Sequence, residues 1–262
     1  MFNKFWFDAQ NINCYKNGFR VIKDINLKIS YSENVIVIGP NGSGKSSLIE
    51  VINRSIYPVI TNESKLKIFG KELINLWELR KKISTVNNDI KNRINPNLKV
   101  FDLILSGLYG RYCYISNKSE RDLYEVKKIM KNIDITNLSK KIFSCLSDGE
   151  KQISLIARAL INKPNILILD EPIANLDYKS KFFIIDKINE LSKLDTKVLC
   201  VTHDISMITK IYDRVIMLKD GQIIADGYQN KVINNENLKK LYGIDVEVIK
   251  KNGLWNLIRL SK

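Results

Sequence analysis

The run Val35-Ile36-Val37-Ile38 lacks the in-and-out alternation of a half-exposed strand, and it passes directly into Gly39-Pro40-Asn41-Gly42-Ser43-Gly44-Lys45-Ser46. Uninterrupted apolar residues of strand length read as a strand buried on both faces, which is the strand type of a parallel sheet. The residues that follow, Ser47-Leu48-Ile49-Glu50-Val51-Ile52, have helical periodicity. Strand, glycine loop and helix in this order point to an α/β fold, because parallel strands need crossover connections.

The loop has the spacing Gly39-x-x-x-x-Gly44-Lys45-Ser46. Glycines are needed where backbone N–H groups must close around an anion at a helix N-terminus, since a Cβ would block the approach. Lys45 brings a positive charge for β- and γ-phosphates, and the Ser46 hydroxyl suits Mg²⁺. The stretch Gly39, Pro40, Asn41, Gly42, Ser43, Gly44, Lys45, Ser46 and Ser47 is therefore the expected nucleotide site. A metal carboxylate must come from elsewhere, and the buried run Ile166-Leu167-Ile168-Leu169 ends in Asp170-Glu171. The carboxyl end of a parallel strand is where such sheets bind ligands. Asp170 is expected to serve Mg²⁺ and Glu171 to polarise a water.

Around these motifs the chain changes character. Asn11 to Tyr15, a turn at Asn17-Gly18, and Val21 to Ile29 read as an antiparallel ribbon. From about Asn88 to Phe143 the period is mainly helical. Then come a helix over Ser147 to Ile161, the strand Ile166 to Leu169, a helix over Lys179 to Ser192, the strand Val198 to Val201, and a short helix around Ile205 to Ile211. Arg214 to Ala225 reads as a hairpin on Asp220-Gly221, followed by a short tail.

With 262 residues, 45% hydrophobic and 27% charged, the chain suits one well-buried domain, and its composition fits neither a disordered chain nor a polytopic membrane protein. No apolar run approaches the ~18 residues of a membrane span. The start, Met1 to Asp8, lacks the features of an export signal, so a cytosolic location is expected. Cys14, Cys113, Cys145 and Cys200 form no Cys-x-x-Cys pair and read as reduced thiols. The net charge of +14 comes from 33 Lys and nine Arg, and this Lys-heavy balance reads first as compositional bias, since Arg is the usual choice for bidentate phosphate contacts. Between Arg80 and Lys141, however, 14 basic residues face six acidic ones, leaving a surplus of eight in the helical stretch.

With these motifs on the chain, the sequence closely resembles the ATP-binding subunits of ABC transporters. Leu146-Ser147-Asp148-Gly149-Glu150 is similar to that family's signature motif, departing from its commonest form at the third and fifth positions. Ala174-Asn175-Leu176-Asp177 is similar to the D-loop, and Val201-Thr202-His203-Asp204 to the switch-histidine region. The resemblance implies one domain over 1–262. Its phosphate-loop NTPase core would be 1–87 and 146–262, with an N-terminal antiparallel β sub-domain and a helical sub-domain inserted at 88–145.

It also implies ATP and Mg²⁺ as cofactors, with Ser46, Asp170 and Asn88 at the metal and Glu171, His203 and Asn88 as the catalytic set. Ser147, Gly149, Glu150 and Asp177 would contact nucleotide, and Tyr15 would stack on adenine, with Phe19 as a rival. Asn88 stands where the family places a glutamine. The implied partners are transmembrane permease subunits and a second ATPase subunit, indirectly a solute-binding protein, and no nucleic acid. The implied place is the inner face of the cell membrane. Val100 to Gly110 and the tail Asn237 to Val248 look similar to iron-siderophore and cobalamin importers, with molybdate and divalent-metal importers as rivals. A soluble ATPase of DNA repair, translation or cluster assembly, or a low-turnover nucleotide switch, is the alternative.

Overall fold

The computed structural model describes residues 4–260. Met1–Asn3, part of the segment read above for an export signal, lie outside the described residues. In chain order the elements begin β1 (Phe5–Lys16), β2 (Phe19–Ser30), β3 (Val35–Ile38), α1 (Lys45–Ile52), β4 (Lys65–Ile68), α2 (Leu76–Lys82) and β5 (Ile83–Val86). Next are α3 (Val100–Leu108), α4 (Glu120–Asn132), α5 (Asp148–Leu160), β6 (Ile166–Asp170), α6 (Tyr178–Glu190) and β7 (Lys197–Thr202). The chain closes with β8 (Arg214–Lys219), β9 (Gln222–Gly227), α7 (Gln229–Val232), α8 (Asn235–Tyr242), β10 (Val246–Lys251) and β11 (Leu254–Arg259). Two compact units result, Met1–Arg80 with Lys197–Lys262, and Lys81–Thr196.

In the first unit β1 pairs antiparallel with both β2 and β4. Asn17 and Gly18 both take positive φ, 51° and 81°, which is the tight hairpin turn that matches strand twist. Asp220-Gly221 between β8 and β9, and Asn252-Gly253 between β10 and β11, repeat the same chemistry. Strand β3 lies between β7 and β8, parallel to each, and every one of its residues is buried, as its unbroken apolar run predicts.

The segment after β7 departs from expectation. Only Ile205–Met207 forms a single 3-10 turn, and Ile208 leaves it in extended geometry. The reason is tertiary. Gln229 Nε2 donates to the carbonyls of Thr209 (2.7 Å) and Tyr212 (2.6 Å), and Asp213 N donates to Asn34 O (2.9 Å), so the backbone groups a longer helix would pair internally are satisfied from outside. The tail is also more structured than expected, since it folds into α7, α8 and the β10–β11 hairpin.

The second unit holds the parallel pair β5–β6, with Val86 opposite Leu169, together with α3, α4, α5 and α6. Ser119 and Ser147 start α4 and α5 with reciprocal capping boxes, to Asp122 and Glu150 respectively. Asp177 caps α6. No described helix is long and apolar enough to cross a membrane, and among the described residues none of the four cysteines is in a disulfide, Cys14 and Cys200 being buried and Cys113 and Cys145 exposed.

Candidate functional site

In the first unit the loop from Gly39 to Ser46 is shaped by contacts from sequence-distant backbone. A Cβ on Gly39 would stand 2.6 Å from Ser43 Oγ and inside contact distance of the Leu218 carbonyl. Gly44 has φ 101°, and a Cβ there would stand 2.9 Å from Val21 O. The tip of the β8–β9 hairpin supports the same loop, with Gly221 N donating to Ser43 O (2.9 Å) and Gly221 O accepting from Lys23 N (2.9 Å). Gly39→Ala is therefore expected to lower stability by about 2 kcal/mol or more and to abolish nucleotide retention, because the obstructing atoms include rigid backbone. Chemical denaturation with a nucleotide-binding assay checks this, and a variant of wild-type stability that still binds would contradict it.

The loop fits a polyphosphate on its own geometry. Ser43 Oγ is buried with no hydrogen-bond partner among the described residues, and α1 starts on Gly44 with no side-chain cap and no acid in its first turn, so the positive end of the helix favours an anion. Lys45 is only 6% exposed, and its Nζ bridges Gly39 O (2.8 Å) and Pro40 O (2.9 Å). Asn41, Gly42 and Ser46 are exposed, while Ser47 lies partly buried in the first turn. Gly39 N donates to Thr202 O (3.3 Å), tying the loop to the end of β7 and hence to His203, whose side chain is exposed. Tyr15 and Phe19 are 53% and 76% exposed near the β1–β2 turn. The adjoining Lys16 fixes that end of the ribbon to α1 by a 2.7 Å ion pair with Glu50.

In the second unit the pairing of β5 with β6 brings Asn87 and Asn88 to the same strand ends as Asp170 and Glu171. Asn88 is exposed at the start of a 3-10 turn. Its neighbour Asn87, which sequence reasoning passed over, has a buried Oδ1 with no hydrogen-bond partner among the described residues. Glu171 adopts φ 49°, a conformation that non-glycine residues hold only under constraint and that concentrates at functional positions.

The signature residues are organised by capping. Ser147 Oγ accepts from Glu150 N (3.2 Å), and Glu150 Oε2 accepts from Ser147 N (2.9 Å). The Glu150 carboxylate is also held by Lys141 at 2.7 Å, and these partners, Lys141 foremost, keep it below the usual carboxylate range. This engagement makes Glu150 an organiser of the helix start. Asp148 is exposed and sits beside Lys151 (3.5 Å) and within the field of Lys91, so the acid in the motif's third position is partly compensated. A Cβ on Gly149 would come 3.0 Å from Ser180 Cβ and Oγ. Ser180 in turn donates from its N and Oγ to Asp177 at 2.9 and 2.8 Å, lowering that carboxyl's pKa. Thus Ser180, which carries no motif, joins signature to D-loop.

No group of three or more His, Cys, Asp or Glu able to hold a metal occurs among the described residues. Mg²⁺ commonly takes one or two protein oxygens with the rest from water and substrate phosphate. The Ser46 hydroxyl in the first unit and the Asp170 carboxylate in the second are each oxygen donors of the kind it takes.

Residues 22–174 match the family described as ABC transporter. The chain is 32% identical over 245 residues to the uncharacterized ABC transporter ATP-binding protein YmeB of Lactococcus lactis, covering 92% of this chain and 93% of that one. CbiO1 of Clostridium perfringens, described as part of the ABC transporter complex CbiONQ, is 26% identical with a TM-score of 0.77, over 91% of this chain and 94% of the other. The ATP-binding cassette MJ0796, solved as a dimer in a post-hydrolysis state with ADP and Pi, is 28% identical with a TM-score of 0.68, over 85% and 98%.

Proposed function

We propose, from the fact that this chain belongs to the ABC transporter family and is one of its ATP-hydrolysing subunits, that it powers import of a solute through separate permease chains at the inner face of the membrane. The observation that carries this reading is the loop of Gly39 to Ser46, with a buried Ser43 hydroxyl that has no hydrogen-bond partner among the described residues and a buried Lys45 ammonium held by the Gly39 and Pro40 carbonyls, in a chain whose described helices include none able to cross a bilayer.

In this reading the loop N–H groups and Lys45 hold the β- and γ-phosphates of ATP, and Tyr15 stacks on the adenine. Bound through Ser46 and Asp170, Mg²⁺ would neutralise charge on the phosphates. Glu171 accepts the proton of the attacking water, and His203 contacts the γ-phosphate. Ser147 and Gly149, at the start of α5, meet the triphosphate of a second copy, so two chains are needed for a complete site. The start of α1, with no side-chain cap and no acid in its first turn, supports the loop's part in this, because such a helix start favours an anion. Asp177 contributes through the cap that positions Ser180 behind Gly149.

For cargo, the resemblance of Val100 to Gly110 and of the tail to importer subunits supports an iron chelate, cobalamin, or a metal or oxyanion, delivered by a solute-binding protein. The basic surplus of the helical stretch suits a place close to acidic headgroups or an acidic permease loop. Turnover that rises in membranes containing the partner permease is the expected result. Turnover indifferent to any membrane, together with tight RNA or DNA binding, would overturn the transport reading.

Asn88 carries a separate prediction. An asparagine side chain is one methylene shorter than the family's glutamine, so Asn88→Gln is expected to raise ATPase turnover, by about twofold to tenfold if one hydrogen bond to water or metal is gained. Unchanged turnover would show that this position does not gate hydrolysis, and the same assay on Asn87→Ala tests whether the buried neighbouring amide does.

A further inference from the structure

We propose that Tyr242, the last residue of α8, is a positioning residue for His203, through which the C-terminal tail controls the hydrolytic step. This rests on the reading of His203 as the γ-phosphate contact. The Tyr242 hydroxyl donates to His203 O at 3.0 Å. The peptide that contains this carbonyl also contains the Asp204 N–H, which donates to Thr202 Oγ1 at 3.1 Å. One peptide plane is thus held at both ends, by β7 on its N–H side and by the tail on its C=O side. The orientation of that plane sets ψ of His203, and so the direction in which its exposed imidazole leaves the backbone.

The tail is built to hold Tyr242 in place. Helix α8 is capped by Asn234, whose Oδ1 accepts from Asn237 N (2.8 Å), and it buries Leu238 and Leu241. It stops at Gly243 in the left-handed conformation, φ 72°. Lys219 Nζ, at the end of β8, donates to Lys240 O in the last turn. Asn235 Oδ1 accepts from Val248 N (2.9 Å), joining α8 to the β10–β11 hairpin. That hairpin then reaches the same switch segment from β11, which packs against the Ile205–Met207 turn. Trp255 Nε1 also contacts Gln229 Oε1 (3.4 Å), and Gln229 holds the carbonyls of Thr209 and Tyr212. The stretch after β7 is therefore gripped by the tail at His203, at the turn, and beyond it.

The test uses the full chain and the fact that His203 is its only histidine, which makes its imidazole proton signal in NMR unambiguous. Tyr242→Phe removes one oxygen and keeps the ring. Turnover should fall about threefold to tenfold, the consequence of losing one hydrogen bond, while KM for ATP stays within twofold and the melting temperature is maintained. The imidazole resonance should move, and its shift on adding Mg·ATP should shrink. An imidazole signal at its wild-type position with turnover unchanged overturns the proposal. So does a turnover loss that comes with weaker nucleotide binding and a lower melt while the imidazole stays put. His203→Ala is run alongside: if it leaves hydrolysis intact, the γ-phosphate reading of His203 fails, whereas a dead His203→Ala beside an unaffected Tyr242→Phe places the failure in the tail.

Discussion

Glu171→Gln is expected to lower ATP hydrolysis by about 10²–10⁴-fold while leaving nucleotide binding intact, and to accumulate an ATP-bound dimer. Glutamine has the size of glutamate but does not take a proton from water at neutral pH, so the substitution removes the proposed proton acceptor and little else. The backbone argument points the same way. Glu171 sits at φ 49° immediately after Asp170 at the end of a buried strand, and such a conformation is sustained only where the surrounding structure imposes it. Phosphate release measured beside sizing chromatography with light scattering, in ATP and magnesium, checks the result. Only monomer under those conditions, or unimpaired turnover, would remove Glu171 from the role of base.

Lys45→Ala is expected to weaken ATP binding by about 10²-fold or more, the size of a lost charge-assisted interaction of roughly 3 kcal/mol. Two effects add. The charge proposed to meet the β- and γ-phosphates is gone, and the Gly39 and Pro40 carbonyls, bonded by Nζ at 2.8 and 2.9 Å, lose their donor. Because Lys45 is almost fully buried, water replaces that donor poorly, so a modest loss of thermal stability should accompany the loss of affinity. Titration with a fluorescent ATP analogue under saturating magnesium measures it. Undiminished affinity would mean that nucleotide is held elsewhere, and the reading of the loop would fall with it.

Local pattern accounts for what was legible in advance. The unbroken apolar runs of β3 and β6, the Asn17-Gly18 and Asp220-Gly221 turns, and the Ser147 start of α5 each express their preference within a few residues, whereas the reading of α6 from Lys179 missed its Asp177 cap. Asn252-Gly253 carries the same turn chemistry and marks the β10–β11 hairpin that the short-tail expectation did not include. The expected helix through Ile211 failed because its polar backbone groups are claimed by Asn34 and Gln229, residues with no local signal.

By itself the sequence determined the class of fold and the position of the glycine loop between a buried strand and a helix, since strand period, glycine spacing and a following helix are properties of contiguous residues. Only the tertiary structure decided why Gly39 tolerates no side chain beside Leu218, how the Gly221 turn supports Ser43, that Asn87 as well as Asn88 presents an amide, and that Ser180 backs Gly149. The grip of Tyr242 on His203 is of the same kind, a hydrogen bond across 39 positions of chain. Steric exclusion and hydrogen bonding act over a few ångströms in space, and no rule of spacing along the chain specifies which distant atoms folding will bring within that reach.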